Sequence, residues 1–208
     1  MEKEEYKYFK RGSEWRKWDL HVHTPASIVA QRYGNTETDD VWEKFIKDLE
    51  SLPEEFKVIG INDYYFLDGY KKVLNYKKEG RLSNIECIFP VVELRTSDFG
   101  GTNGCFSKIN LHVIFDNTLS ADVIENQFLS AITNKFTIDY GVEKDYWNGV
   151  IKQKSLEDLG RKIRSSVPQE RQKDFNESDL ELGFNNICVN FKDVFDLLKN
   201  NAYLKNRH

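Results

Sequence analysis

The alternation of short apolar runs with helix-period stretches is what most restricts the folds open to this chain. Residues 17–23, 57–62, 87–94 and 109–115 are apolar runs of strand length. Between them Val41, Trp42, Phe45, Ile46 and Leu49 recur at helical spacing, and so do Leu67, Tyr70, Val73 and Leu74. Thr38 or Asp39 caps the first helix, Leu52-Pro53 ends it, and Gly80 closes the second. A further helix is read over residues 120–133, and Pro90 marks an irregular start to the third strand. Strands and helices at this interval predict an α/β fold with parallel strands. Four such units are too few for a closed eight-stranded barrel.

After residue 134 the alternation fades. Residues 136–147 are aromatic and polar without a period. Ser155-x-x-Asp158 and Ser178-x-x-Glu181 read as capping boxes opening two helices. The run from Leu180 to Leu198 fits either one helix or a short strand at residues 187–191 followed by a helix. Ala202-Tyr203-Leu204 reads as the opening of another strand, so the expectation is a chain that continues past His208. The expected organisation is a lead-in over residues 1–14, a core over 15–135, and a mainly helical continuation or insertion over 136–208.

Composition narrows the function classes. The 208 residues carry 31% charged and 13% aromatic side chains and a formal charge of −4, which fits a water-exposed globular chain and not a general polyanion binder. Cys87, Cys105 and Cys188 form no C-x-x-C pair and are odd in number, which points to a reducing, cytoplasmic setting. The N-terminal residues are charged and form no signal-peptide core, and no apolar run reaches the roughly 18 residues of a membrane span.

The chemistry concentrates in Trp15–Ser27, W-R-K-W-D-L-H-V-H-T-P-A-S. On a strand His21 and His23 point the same way, and strict alternation puts Asp19 beside them. Thr24-Pro25 breaks the strand, so the pair sits at its C-terminal edge. Two of the four histidines of the chain are here. Asp63, Glu93 and His112 stand at or near the ends of the later runs, and parallel strands bring such ends together. A cluster of His with Asp or Glu suits Zn, Mn or Fe, and a carboxylate such as Glu93 can bridge two ions. Taken singly, Asp63 also suits an N-cap, Glu93 a solvated strand end, and His112 a satisfied core histidine.

Gly100-Gly101-Thr102-Asn103-Gly104 is glycine-rich but lacks the lysine of a P-loop. Arg95, Thr96, Ser97 and Lys108 flank it and are candidate contacts to a substrate phosphate; an ordinary surface loop is the plainer reading. Arg11, Arg16 and Lys17 beside Trp15 and Trp18 suit either a nucleic-acid backbone or a packed lead-in with solvated charges.

D-L-H-V-H-T-P-A-S, I-G-I-N-D-Y, P-V-V-E-L-R and N-L-H-V-I-F together resemble the PHP (polymerase and histidinol phosphatase) family. The opening G-S-E-W-R-K-W-D-L-H-V-H and the later F-L-D-G-Y-K-K-V resemble more narrowly the PHP domain of TrlF-type proteins, where it precedes an SMC/ABC-like ATPase region and in some members serves anti-phage defence, as in the Ppl system. The likeness covers residues 13–116. It implies a distorted (β/α)7 barrel, incomplete within this chain, that holds divalent metal ions (Zn, Mn or Fe) and hydrolyses phosphoesters of nucleic acid or nucleotides. The implied metal ligands are His21, His23, Glu93 and His112. Asp63 and Glu93 take catalytic roles, Asp63 by orienting a ligand or the attacking water. Arg95 and Lys108 are the expected substrate contacts; an ATPase region or chain is the partner that the resemblance implies, and a homo-oligomer is a further expectation.

Departures from the pattern shape the expectation. Tyr64 stands where the family has a histidine after Asp63, and Val29 where it has another. Both would serve one ion, so one or two ions are expected and not three. Beyond Asp19-Leu20-His21 no D-x-H occurs to match the family's C-terminal one, and no histidine lies between His112 and His208. A degenerate, non-catalytic PHP domain acting as a recognition or scaffolding module is therefore the alternative, with a small-molecule phosphatase of the histidinol-phosphate kind as a third.

Overall fold

A computed structural model describes residues 15–29, 32–34, 38–138 and 150–208. Arg11 and residues 139–147, which figure in the sequence reading, lie outside them. Four strands form one curled, mixed sheet, a half-barrel. They are β1 (Lys17–Val22), β2 (Phe56–Ile61), β3 (Cys87–Thr102) and β4 (Cys105–Ile114), hydrogen-bonded in that order. β1, β2 and β3 run parallel, as the strand–helix alternation predicts, but β4 returns antiparallel to β3. The reason is local. Asn103 and Gly104 take φ of 55° and 80°, the left-handed pair that closes a two-residue hairpin, and so short a connection can only reverse the chain. The glycine-rich stretch read as a surface loop is thus the tip of a long hairpin. Its irregularity falls between Arg95 and Phe99, not at Pro90.

α1 (Asp39–Glu50) follows β1 and α2 (Asp68–Lys78) follows β2. Thr38 caps α1 by accepting from Val41 N, as expected. α2 starts at Leu67 with no side-chain cap, so Asp63 is not its N-cap. Trp42, Phe45, Ile46 and Leu49 of α1 pack with Ile59, Ile61, Val92, Leu94 and Val113 of the sheet. The next helix is α3 (Ala121–Ile124), a π-turn at Glu125–Leu129, and α4 (Ser130–Thr133) in one run.

The remainder comprises β5 (Thr137–Ile138), α5 (Gln153–Ser165), α6 (Gln169–Gln172), α7 (Asp179–Asn185), β6 (Ile187–Cys188) and α8 (Phe191–Asn200), with β5 antiparallel to β6. The Ser178–Glu181 capping box forms. The Ser155 box does not, because α5 already begins at Gln153. Residues 187–200 are a strand then a helix, and residues 202–206 are turns and not a strand. α5 and α7 touch backbone to backbone: a Cβ on Gly160 would lie 1.8 Å from Asp179 O. Val189 N donates to Arg95 O (2.9 Å) and Ser97 N to Val189 O (3.0 Å), which docks this part on β3. Leu156, Leu159, Phe184 and Val194 belong to the same core as Trp42 and Ile59. No helix among the described residues is long and apolar enough to cross a membrane.

One irregularity decides where the histidines point. Asp19 pairs with Ile59 and Val22 with Ile61, so three steps of β1 span two of β2, a β-bulge. Both pairs register with the helix-facing side of the sheet. His21, within the bulge, turns to the other side toward Glu93, and Asp19 does not share its face as strict alternation predicted. Asp19 Oδ1 instead accepts from His21 N at 3.0 Å and braces the bulge. Gly60 lies under it: a Cβ there would meet Val91 Cγ2 at 2.8 Å and Leu20 Cα at 3.0 Å.

Candidate metal centre

Glu93 lies in the middle of β3 between the core residues Val92 and Leu94, with 0% of its surface exposed. A buried carboxylate is costly unless its oxygens are bonded. Here each oxygen has an amide donor. Asn62 Nδ2 donates to Oε2 at 2.8 Å and Asn110 Nδ2 to Oε1 at 2.6 Å. Burial pushes the Glu93 carboxyl up, but His112, Tyr64 and His23 outweigh it and hold the group below the usual carboxylate range.

Three histidines surround this carboxylate. His23 Nε2 is 3.6 Å from Glu93 Oε2, His21 Nε2 is 3.9 Å from the same oxygen, and the two Nε2 atoms are 3.0 Å apart. Metal–ligand bonds of about 2.0–2.1 Å place tetrahedral ligand atoms about 3.3–3.4 Å apart, inside the range these distances span. One ligand atom from each of His21, His23 and Glu93 falls within 4.8 Å of the others. His112 pairs directly with Glu93 across the β3–β4 ladder and puts Nε2 3.3 Å from Oε1. That nitrogen is buried and makes no hydrogen bond, and its ring meets His21 edge-on at 4.7 Å. A buried nitrogen without a partner is destabilising, and a cation shared with Glu93 would satisfy it. Donor set and geometry therefore fit a divalent ion.

The tautomer of His23 follows from its neighbour. The Ser27 hydroxyl donates its one proton to Val29 O at 2.7 Å, so at His23 Nδ1, 3.3 Å away, its oxygen must accept. The proton then sits on Nδ1 and the lone pair on Nε2, facing Glu93. Burial, aided by His21 and His112, lowers the His23 pKa against the pull of Glu93, so the imidazole is neutral at neutral pH.

The other sequence-predicted residues take different places. Asp63 does not join this group. Its Oδ1 accepts from Thr24 N at 2.9 Å and its Oδ2 from Thr24 Oγ1 at 2.7 Å, so it fastens the segment that follows His23 to the end of β2. Tyr64 lies flat on His23, rings 5.5 Å apart and 17° from parallel, and its hydroxyl accepts from Asn110 at 2.9 Å. Val29 is partly buried against the core. Arg95 donates to Asn185 Oδ1 at 2.7 Å with its guanidinium over Phe184, and so is tied to α7. Lys108 stands on β4 opposite Phe99, away from the ligand group. Arg16 and Lys17 pair with Glu86 and Glu55 at 3.2 Å and 2.9 Å. Asn62, Asn110 and Ser27 had not been singled out. The N-x-H spacing of Asn110 and His112 was the available signal, since alternate strand residues share a face. Nothing local marked Ser27.

The centre borders a cleft of about 570 Å³ between the end of β1 and α1, lined by His21, His23, Arg32, Tyr33, Phe45 and Asp48 among others. Compared with known proteins, the chain matches no family model, no curated protein and no solved structure.

Proposed function

We propose that this chain is a metal-dependent phosphoesterase of the PHP type, acting on nucleic acid or nucleotides. The observation that carries the reading is the fully buried Glu93 ringed by His21, His23 and His112. Histidines with one carboxylate suit Zn, Mn or Fe. Such an ion supplies Lewis acidity, lowering the pKa of water and polarising a phosphoryl oxygen. The protein's own part is to hold three imidazoles and one carboxylate in register: Asn62 and Asn110 orient Glu93, Ser27 sets the His23 tautomer, and Asp63 anchors the backbone after His23 through Thr24. Cytoplasmic location and an ATPase region as partner belong to the same proposal and rest on the sequence resemblance.

The test is metal content by elemental mass spectrometry, with hydrolysis of a phosphodiester and a phosphomonoester, on wild type and on His21→Ala/His23→Ala. About one or two equivalents of metal, lost together with turnover in the variant, is the expected result. A protein that takes up no metal, or an active variant, overturns the proposal. Tyr64 stacked on His23 favours a second reading, a degenerate domain serving as a scaffold. Bound metal with no turnover of either ester selects it.

A further inference from the structure

The cleft beside the metal centre joins polar groups to an apolar wall. His21, His23 and Arg32 line it, and so do Phe45 and Leu49 of α1 and Leu52 just past it. Phe45 and Leu49 are 2% and 6% exposed, so that wall is part of the close-packed core and does not give way. The acidic side chains of the cleft are already engaged. Lys44 Nζ and the Tyr33 hydroxyl both donate to Asp48 Oδ2 at 2.8 Å, and Asp19 Oδ1 accepts from His21 N at 3.0 Å. Tyr33 is held as well, with Lys44 Nζ 4.8 Å over its ring and Phe45 edge-on to it at 5.5 Å. Arg32 is different. It is exposed in the cleft, and its side chain makes no ion pair or hydrogen bond with another described residue. Arg16, Lys17 and Arg95 each have a partner elsewhere.

We infer that Arg32 holds the anionic part of the substrate at the centre, and that the cleft along α1 receives one planar or apolar group of that substrate, of the size of a single nucleoside. Turnover rests on the phosphoesterase reading; binding does not. A guanidinium presents its donors as a rigid fork that meets two phosphate oxygens at once. Arg32 shares the cleft with His21 and His23, so a phosphoryl group that reaches these ligands lies in the same space as an uncommitted cation. The volume of about 570 Å³ falls in the range of small-ligand sites, and Phe45, Leu49 and Leu52 suit a ring. A polynucleotide strand would bring a further negative charge with every nucleotide, and this wall offers nothing to meet it.

The test is isothermal titration of the full chain with thymidine monophosphate, with and without Zn, beside thymidine, inorganic phosphate and an oligothymidylate. Wild type is expected to bind the nucleotide roughly 10-fold more tightly than thymidine or phosphate, each of which supplies one half of the contacts. Arg32→Ala, a change at an exposed position, is expected to weaken nucleotide binding roughly 10-fold with metal content and Tm unchanged, and Arg32→Lys to recover part of the loss. Leu52→Trp fills the cleft and weakens the nucleotide, while inorganic phosphate binds as in wild type. Wild type that binds no nucleotide with or without Zn, Arg32→Ala that binds within about twofold of wild type, or Leu52→Trp with unchanged nucleotide affinity overturns the inference. An oligothymidylate bound more tightly than the mononucleotide overturns it equally. In each of these cases hydrolysis that is lost in His21→Ala/His23→Ala leaves the phosphoesterase reading standing. Nucleotide binding that depends on Arg32, with no turnover of any ester, upholds the inference and removes the hydrolytic reading alone.

Discussion

At the scale of the residue, Glu93 shows how a strand that reads as plain hydrophobic run can hold a charge. P-V-V-E-L-R carries one ionisable side chain into a core position, and the structure supplies two amides and three imidazoles to receive it. The histidines and Glu93 were legible as candidates because their side chains are rare and chemically specific. Asn62, Asn110 and Ser27 were not, because amides and hydroxyls are common and only their partners give them a role. Ser27 gives the sharpest check. Ser27→Ala removes the acceptor on His23 Nδ1 and frees the other tautomer, so metal affinity is expected to fall about 10-fold with little change in Tm. Isothermal titration with Zn measures it, and an unchanged affinity would show that the hydroxyl does not set the tautomer.

At the scale of the element, the bulge in β1 matters more than the strand's composition. Its backbone sits on Gly60, where a Cβ has no room beside Val91 and Leu20. Gly60→Ala is expected to cost about 1–3 kcal/mol and to lower metal affinity with it, since β1 must shift and carries His21. Thermal unfolding read beside titration checks the coupling; lost stability with intact affinity would separate the bulge from the centre. A second element-scale link joins α1 to the segment before β3. Arg81 forks onto Glu50 at 2.8 Å and onto Glu43 at 3.0 and 3.1 Å, and Leu82 N donates to Glu50 at 3.0 Å. The clamp holds Leu82, fully buried, at a φ of 57°. Hydrogen bonds from Arg81 hold both carboxyls below their usual range. A carboxyl depressed in the folded state stabilises above its unfolded pKa, and the benefit fades as pH falls through the folded value. The Tm gap between wild type and Arg81→Ala should therefore be widest above about pH 5 and narrow toward pH 3. A gap that is constant with pH would mean Arg81 acts through packing alone.

At the scale of the whole molecule, the centre draws on β1, β3 and β4 and on the segment after β2, so an ion there ties together most of the sheet. Binding to the folded state alone stabilises by about 2.7 kcal/mol at one hundred times Kd, or roughly 5–10 °C in Tm for a chain of this size. Adding Zn or Mn after chelation should raise Tm by that amount in wild type and not in His21→Ala/His23→Ala; an equal rise in both would place the ion elsewhere. The sequence by itself determined the α/β class, the parallel run of β1 to β3, the caps at Thr38 and Ser178, and the residues fit to hold a metal, because apolar period and side-chain chemistry are local properties. Only the tertiary structure decided that β4 turns back on β3, that a bulge over Gly60 swings His21 away from Asp19, that Asp63 serves Thr24, and that Arg95 belongs to α7. Each of these depends on a partner distant in sequence, and one residue of register is enough to move a side chain to the opposite face of a sheet.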